Sequence, residues 1–355
     1  MSIPFMQIRG GSSKGLYFLA SDLPTSESLT NQIILDAVGR DDSQIDGLGG
    51  GHPLTSKVAI VSPSKLPNVD IDFLFIQVVV GQNQIDTTPN CGNILAGVGP
   101  FAIESGLVTP TDSMTKITVN MLNTNKLCEL ILHTPNGEIN YNGDQRIDGV
   151  SGTSAPIVCN YMDISGSVTG ELFPTGAVKD NVDGVEVTCI DNGMPVVLVR
   201  AEDLQVSGYE TPEELNSDQN LKDKLESIRL AISPKMNIEN AQSKAVPKMC
   251  IISPARYGGL INTRTFIPHH CHSAIGVLGA VSVATACIVK GSVAENYSNG
   301  VITPNDPISV EHPCGEFTVN LDFEDDGVIP QINGAGVIRT ARLLSKGVLF
   351  VPQPN

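Results

Sequence analysis

Tryptophan is absent from the 355 residues, and aromatic residues of every kind amount to 5%. A core of any size must therefore be built from Val, Ile, Leu and Ala. Paired cysteines are missing too. The eight Cys (91, 128, 159, 189, 250, 271, 287 and 314) contain no Cys-x-x-Cys spacing, which argues against a zinc ribbon or a disulfide framework. Reduced thiols in a cytoplasm are the simple expectation. Positive charge is scarce, with 22 Lys and Arg against 38 Asp and Glu, a net charge of −16. That balance argues against nucleic acid or an anionic membrane as partner. An anionic ligand would need a local cluster of donors. The longest apolar stretch, Ala274 to Val289, carries Ser and Thr and is too short to span a bilayer. The start, MSIPFMQIRGG, lacks the basic and apolar regions of a secretory leader, so none is expected.

Turn formers are plentiful: 34 Gly and 23 Pro. Together with the strand patterns they predict an α+β chain, and the length predicts two domains. Pro4 to Ile8 reads as a strand, ends in Arg9-Gly10-Gly11-Ser12-Ser13-Lys14-Gly15, and resumes at Leu16 to Leu19. Ser26 to Val38 has helical periodicity. A Gly-rich loop over 41–53 leads through Thr55-Ser56-Lys57 into the strand Val58 to Ser62, and Ile71 to Val80 is a further strand. More strands are predicted at 116–121, 126–133, 138–142 and 156–162.

Near residue 180 the pattern begins again. Ser56-Lys57-Val58-Ala59 is echoed by Pro247-Lys248-Met249-Cys250, and Pro89-Asn90-Cys91 by His269-His270-Cys271, each pair separated by roughly 180 residues. Pro135-Asn136-Gly137-Glu138 is echoed by Pro313-Cys314-Gly315-Glu316. The shared order predicts two homologous lobes, 1–180 and 181–355. Each would be a curled, mostly antiparallel sheet around a central helix, with a site in the cleft between lobes. Gly97, Gly99, Gly276 and Gly279 are the small residues that close packing of those helices would need.

The centre of the first lobe is Thr88-Pro89-Asn90-Cys91-Gly92-Asn93, a polar loop running into a small-residue helix. A thiol at a helix start sits among unpaired N–H groups at the positive end of the dipole, a setting that favours thiolate and also binds carboxylate. The motif alone leaves open a second reading, a buried structural cysteine in a Gly/Asn turn. Lys57 is similarly double: a surface lysine at a strand end, or an amine whose burial favours the neutral form that a base needs.

The motifs Arg9 to Gly15, Gln44 to Gly50, Leu54 to Val61, Asn90-Cys91-Gly92-Asn93, Ile190-Asp191-Asn192-Gly193-Met194-Pro195 and Phe266 to His272 together resemble a known family. The chain is similar, end to end, to the methylaconitate isomerase (PrpF-like), methylitaconate Δ-isomerase and 4-oxalomesaconate tautomerase branch of the diaminopimelate-epimerase-like fold. Its segment Val185 to Val199 looks nearest to the 4-oxalomesaconate tautomerases. The resemblance implies a cofactor-free allylic isomerase of an unsaturated di- or tricarboxylate, in which a proton leaves one carbon and returns two carbons away.

In that reading Lys57 and Cys91 stand at the chemistry, and either could be the proton-abstracting base. Substrate-binding candidates are Ser12, Ser13, Thr55, Ser56, Asn90, Gly92 and Asn93 in the first half. In the second half they are Asn192, Met194, Arg264, Cys271, His272 and Ser273. The N–H groups at His272 and Ser273 would mirror those after Asn90. No metal is expected, because adjacent His residues seldom chelate one ion and no second cluster supplies partners at ligand spacing. A homodimer is left open. Two other classes compete: a two-cysteine racemase or epimerase using Cys91 and Cys271, and a non-enzymatic binding protein.

Overall fold

The computed structural model describes residues 1–297, 302–304, 306–324 and 329–352. In chain order the first elements are β1 (Ser2–Gly10), β2 (Ser13–Leu19), α1 (Glu27–Val38), β3 (Lys57–Pro63), β4 (Ile71–Val79), β5 (Gln84–Asp86), α2 (Gly92–Glu104), β6 (Ser113–Met121), β7 (Lys126–Thr134) and β8 (Ile157–Met162). Then come β9 (Asp180–Val182), β10 (Val185–Asp191), β11 (Pro195–Arg200), α3 (Pro212–Ser217), α4 (Gln219–Ile232), β12 (Lys248–Pro254), β13 (Ile261–Phe266), α5 (Val277–Ile288), β14 (Pro307–His312), β15 (Gly315–Glu324), β16 (Gln331–Arg339) and β17 (Ala341–Phe350).

Two compact units result. One is Met1–Asn160 together with the stretch from Ile338, and the other is Tyr161–Val337. The division therefore differs from the contiguous halves 1–180 and 181–355. The physical reason is β17, which returns to pair antiparallel along β1, with Ser2 opposite Phe350 and Gly10 opposite Ala341.

In the first unit the strands run β1-β2-β3-β4-β6-β7. Their pairings alternate antiparallel, parallel, antiparallel, parallel, antiparallel. This sheet wraps α2, which touches β1, β2, β3, β4, β7 and β17. Gly92 to Ala102 are all buried, as expected for a helix apolar on every side. Ile94, Leu95, Val98 and Phe101 supply about 1.5–3 kcal/mol each on burial. On the same unit α1 lays Ile33, Ile34 and Val38 against Phe18, Val58 and Ile76. It ends at Gly39, whose φ of 106° few other residues adopt.

The second unit repeats the scheme. Its strands run β10-β11-β12-β13-β14-β15 with the same alternation of senses, and α5 is buried against β10, β11, β14 and β15.

Two expectations are corrected. Residues 138–142 form no strand; Asn142 N–H turns back to Asn140 Oδ1 at 2.9 Å, and such a local bond competes with a ladder. The helix glycines are unequal. A Cβ at Gly97 would lie 2.3 Å from the Tyr17 hydroxyl and one at Gly99 3.0 Å from Leu132, whereas among the described residues Cβ atoms at Gly276 and Gly279 would meet nothing within 4 Å.

Candidate active site

Three segments meet at the start of α2. The end of β1 and the turn after it carry two glycines whose added Cβ atoms would overlap Asn93: 2.2 Å from its carbonyl oxygen at Gly10, and 1.9 Å from Oδ1 at Gly11. The turn thereby seats Ser12 on Asn93. Ser12 N–H donates to Asn93 Oδ1 at 3.4 Å, and Asn93 Nδ2 donates to Ser12 Oγ at 3.1 Å. Gly15, opposite Lys57 in the parallel β2–β3 pair, lets β3 and Ile94 close in, since a Cβ there would lie 2.8 Å from the Lys57 carbonyl and 3.0 Å from Ile94.

Lys57 is 8% exposed, so it does not snorkel to the surface. Its Nζ donates to Gln77 Oε1 at 2.6 Å and lies 5.1 Å from the centre of the Phe75 ring. Among the described residues no carboxylate pairs with it. Cys91 is the N-cap of α2. Its carbonyl accepts the Leu95 N–H at 2.9 Å, and its partly exposed thiol makes no capping bond. No acidic residue occupies the first helical turn, so the orphan N–H groups there face no competing charge. Burial, and then the neighbouring Cys91, push the Tyr17 phenol well above its ordinary range, so it stays protonated and donates to the Ile94 carbonyl at 2.7 Å.

The remaining candidates of this unit divide. Among the described residues Ser13 Oγ and Asn90 Oδ1 are buried without a partner, and Asn90 Nδ2 donates to Thr124 at 2.6 Å. The Thr55 and Ser56 hydroxyls instead hold their own loop. Thr55 donates to the His52 carbonyl, and Ser56, fully buried, donates to Gln44 Oε1 and the same carbonyl. Gln44 was missing from the sequence-derived candidates, yet its Oε1 also accepts Gly50 and Gly51 N–H at 2.9 Å each. A groove of about 300 Å³ in this unit is lined by Phe5, Met6, Tyr17, Phe101, Lys346 and Val348, among others. None of the candidate residues lines it.

In the second unit Arg264 lies inside β13, where burial pushes its guanidinium below the usual range. Nε donates to the Glu210 carbonyl at 2.7 Å and Nη1 to Thr263 O and Asn262 Oδ1, with no acidic partner among the described residues. Asn192 is fully buried; its Nδ2 donates to Thr285 and its N–H to Ser282, whose hydroxyl in turn donates to the Met194 carbonyl. These bonds pin the turn to α5.

Cys271 departs from the expected symmetry. It lies five positions before Gly276, the N-cap of α5, rather than at the cap. Its N–H donates to Asn216 Oδ1, and burial pushes its thiol up to about 12. The His272 N–H is engaged by the Thr265 carbonyl at 2.7 Å, so it is not the mirror of the Gly92 donor set. His272 Nδ1 accepts from Ala274 N–H, which leaves its ring proton on Nε2. Ser273 is exposed.

The family described as PrpF protein matches residues 1–352. The chain belongs to the PrpF family. The chain is 51% identical to a 4-oxalomesaconate tautomerase of Pseudomonas putida over 98% of its own length and 96% of the relative's. It is 47% identical to a (4E)-oxalomesaconate Delta-isomerase of a Novosphingobium species, over 99% and 98%. Among solved structures, a methylitaconate-delta-isomerase superposes with a TM-score of 0.80 at 31% identity, covering 99% of this chain and 96% of that one. A structure described as a probable proline racemase of Agrobacterium radiobacter, at 12% identity and a TM-score of 0.60 over 99% and 93%, shows the fold alone. The PrpF-family chain is thus an isomerase with the α+β, epimerase-like fold.

Proposed function

We propose that this isomerase is a 4-oxalomesaconate tautomerase, moving a proton across a three-carbon allylic system of an unsaturated keto-tricarboxylate. The observation that carries the reading is the 51% identity, end to end, with the Pseudomonas putida tautomerase. Lys57 takes the proton from the carbon activated by conjugation with the keto or carboxylate group. The electron pair of that C–H bond shifts the double bond by one position. Lys57 then returns the proton two carbons away, so the reaction balances without any co-reactant. Cys91 and the open N–H groups of Gly92 and Asn93 stabilise the enediolate-like charge that develops between the two transfers. What supports these roles is the burial of Lys57 beside a neutral amide and the position of Cys91 at a helix start free of acids.

In the first unit Ser13 and Asn90 are the substrate-binding groups of the reading, and in the second unit Arg264 is proposed separately as a carboxylate-binding group. Among the described residues Ser13 Oγ and Asn90 Oδ1 are buried without a partner, and the Arg264 guanidinium has no acidic partner. The repeated order of strand senses supports reading the chain as a duplicated unit. We place the protein in the cytoplasm, in the degradation of aromatic compounds.

The test is ¹H NMR in D₂O with 4-oxalomesaconate, 2-methylaconitate and 3-methylitaconate. Deuterium entry and double-bond migration are expected fastest in the first. Preference for either methylated acid would reassign the substrate, and binding without exchange in all three would make the chain a carboxylate-binding protein. Lys57→Met should lower exchange by about 10²- to 10⁴-fold, the ordinary worth of a positioned base.

A further inference from the structure

Gln77 lies on β4 directly opposite Lys57 on β3. It interrupts the otherwise apolar stretch Phe73 to Val80, and it is itself buried. Its amide nitrogen faces three carbonyls, those of Ser56 at 3.0 Å, Val78 at 3.1 Å and Pro53 at 3.2 Å. Turning the amide over would set its oxygen against all three, so the orientation is fixed with Oε1 toward Nζ. The Lys57 amine is thereby held by one acceptor, in one direction, on a frame of backbone.

We infer that Gln77 is the positioning residue of Lys57, a neutral acceptor that aims the amine at the reacting carbon. This rests on the reading of Lys57 as base. A carboxylate in the same place would bind the lysine as a buried ion pair instead. An apolar side chain would remove the side-chain donor from the Pro53, Ser56 and Val78 carbonyls and leave the amine free to turn.

The second unit supplies the comparison that separates this role from a demand of the fold. There Val196 pairs with Lys248 as Gly15 pairs with Lys57, and Met249 pairs with Phe266 as Val58 pairs with Ile76. The register places Ile267 where Gln77 stands, one residue past the end of β13. Lys248 is also more exposed than Lys57. The strand pairing up to this point therefore forms without a glutamine, and β13 ends where β4 runs on to Val79. Gln77 also ties the lysine to the loop through Pro53 and Ser56, so a shift of that loop would reach the amine.

The experiment compares Gln77→Met, Gln77→Glu and Lys57→Met by steady-state isomerisation of 4-oxalomesaconate at neutral pH. Gln77→Met is expected to lower kcat at least about tenfold with KM within about twofold, the split that marks an interaction realised in the transition state. Gln77→Glu, which fills the same space, is expected to lose kcat by a similar factor and decides the matter alone if the Met variant does not fold. Wild-type kcat in either folded variant, or a change confined to KM, overturns the inference. An inactive Lys57→Met beside Gln77 variants of wild-type kcat would sink the positioning role and leave the base assignment standing. A fully active Lys57→Met would sink the base assignment itself.

Discussion

Tyr17 reaches the carbonyl of Ile94 through space that Gly97 leaves empty. The phenol donates at 2.7 Å, and a Cβ on Gly97 would stand 2.3 Å from that oxygen. Because Ile94 is in the first turn of α2, this contact fixes the height of the helix that carries Cys91. Gly97→Ala should displace the phenol and leave its buried hydroxyl unpaired, while the Ile94 carbonyl keeps its helical partner. Overpacking and the lost bond together predict a cost of about 2–4 kcal/mol. It would be read as a lower urea midpoint with an unchanged slope. Tyr17→Phe removes the oxygen that the Cβ would strike, so the double variant should be more stable than the sum of the two single costs. Strict additivity would mean that the two residues do not share this contact.

Arg264 places a guanidinium in a buried strand with no acidic partner among the described residues, and desolvation pushes it below its usual range. A charge left in that condition is a cost to folding that a bound carboxylate would relieve. Arg264→Met is expected to leave stability within about 1 kcal/mol of wild type, since removing the desolvated charge offsets the lost carbonyl bonds. KM for a tricarboxylate should rise about ten- to a hundredfold, the worth of a charge-assisted bond. A variant destabilised by several kcal/mol with unchanged KM would assign Arg264 to the fold instead.

Much of this was legible in the residues. The glycine turn before Ser12, the strand entered at Lys57 and the helix begun at Cys91 all have signals carried by neighbours in sequence, and all three form where expected. What was not legible depends on pairing at a distance. Gln77 looks like one polar residue in an apolar strand until β3 lies beside β4. Gln44 looks like part of a loop until its left-handed backbone (φ 53°) turns its side chain onto Gly50, Gly51 and Ser56. The symmetry between Cys91 and Cys271 failed for a local reason. His272 bonds back to Thr265, which keeps 271–276 out of the helix.

That failure separates two enzyme classes. A two-thiol racemase needs both cysteines to exchange protons. Burial holds Cys271 at about 12, so its thiolate fraction at pH 8 is about one in ten thousand and grows only as pH rises toward that value. Maleimide at pH 8 should therefore leave Cys271 unlabelled while Cys91 and the exposed Cys314 react, as peptide mass spectrometry would show. Cys271→Ser should keep kcat within about threefold, and Cys91→Ser should lose at least about tenfold. Equal and complete loss in both variants would restore the racemase reading.

The seat of Ser12 on Asn93 allows a test in which one unit controls for the other. Gly11 has φ +51°, and a Cβ there would lie 1.9 Å from Asn93 Oδ1. Gly11→Ala therefore strains the backbone and evicts the side chain that receives the Ser12 N–H. Gly276 occupies the N-cap of α5 with φ −72° and open space around its Cβ position. Gly276→Ala should cost less than about 1 kcal/mol, the ordinary difference between these residues at an N-cap. Gly11→Ala should cost about 1–3 kcal/mol and, because Asn93 opens the helix capped by Cys91, should also lower kcat for deuterium exchange. Urea melts and exchange rates on the two variants read both effects. A Gly11→Ala enzyme with normal exchange would show that the turn holds the helix without shaping the chemistry at its end.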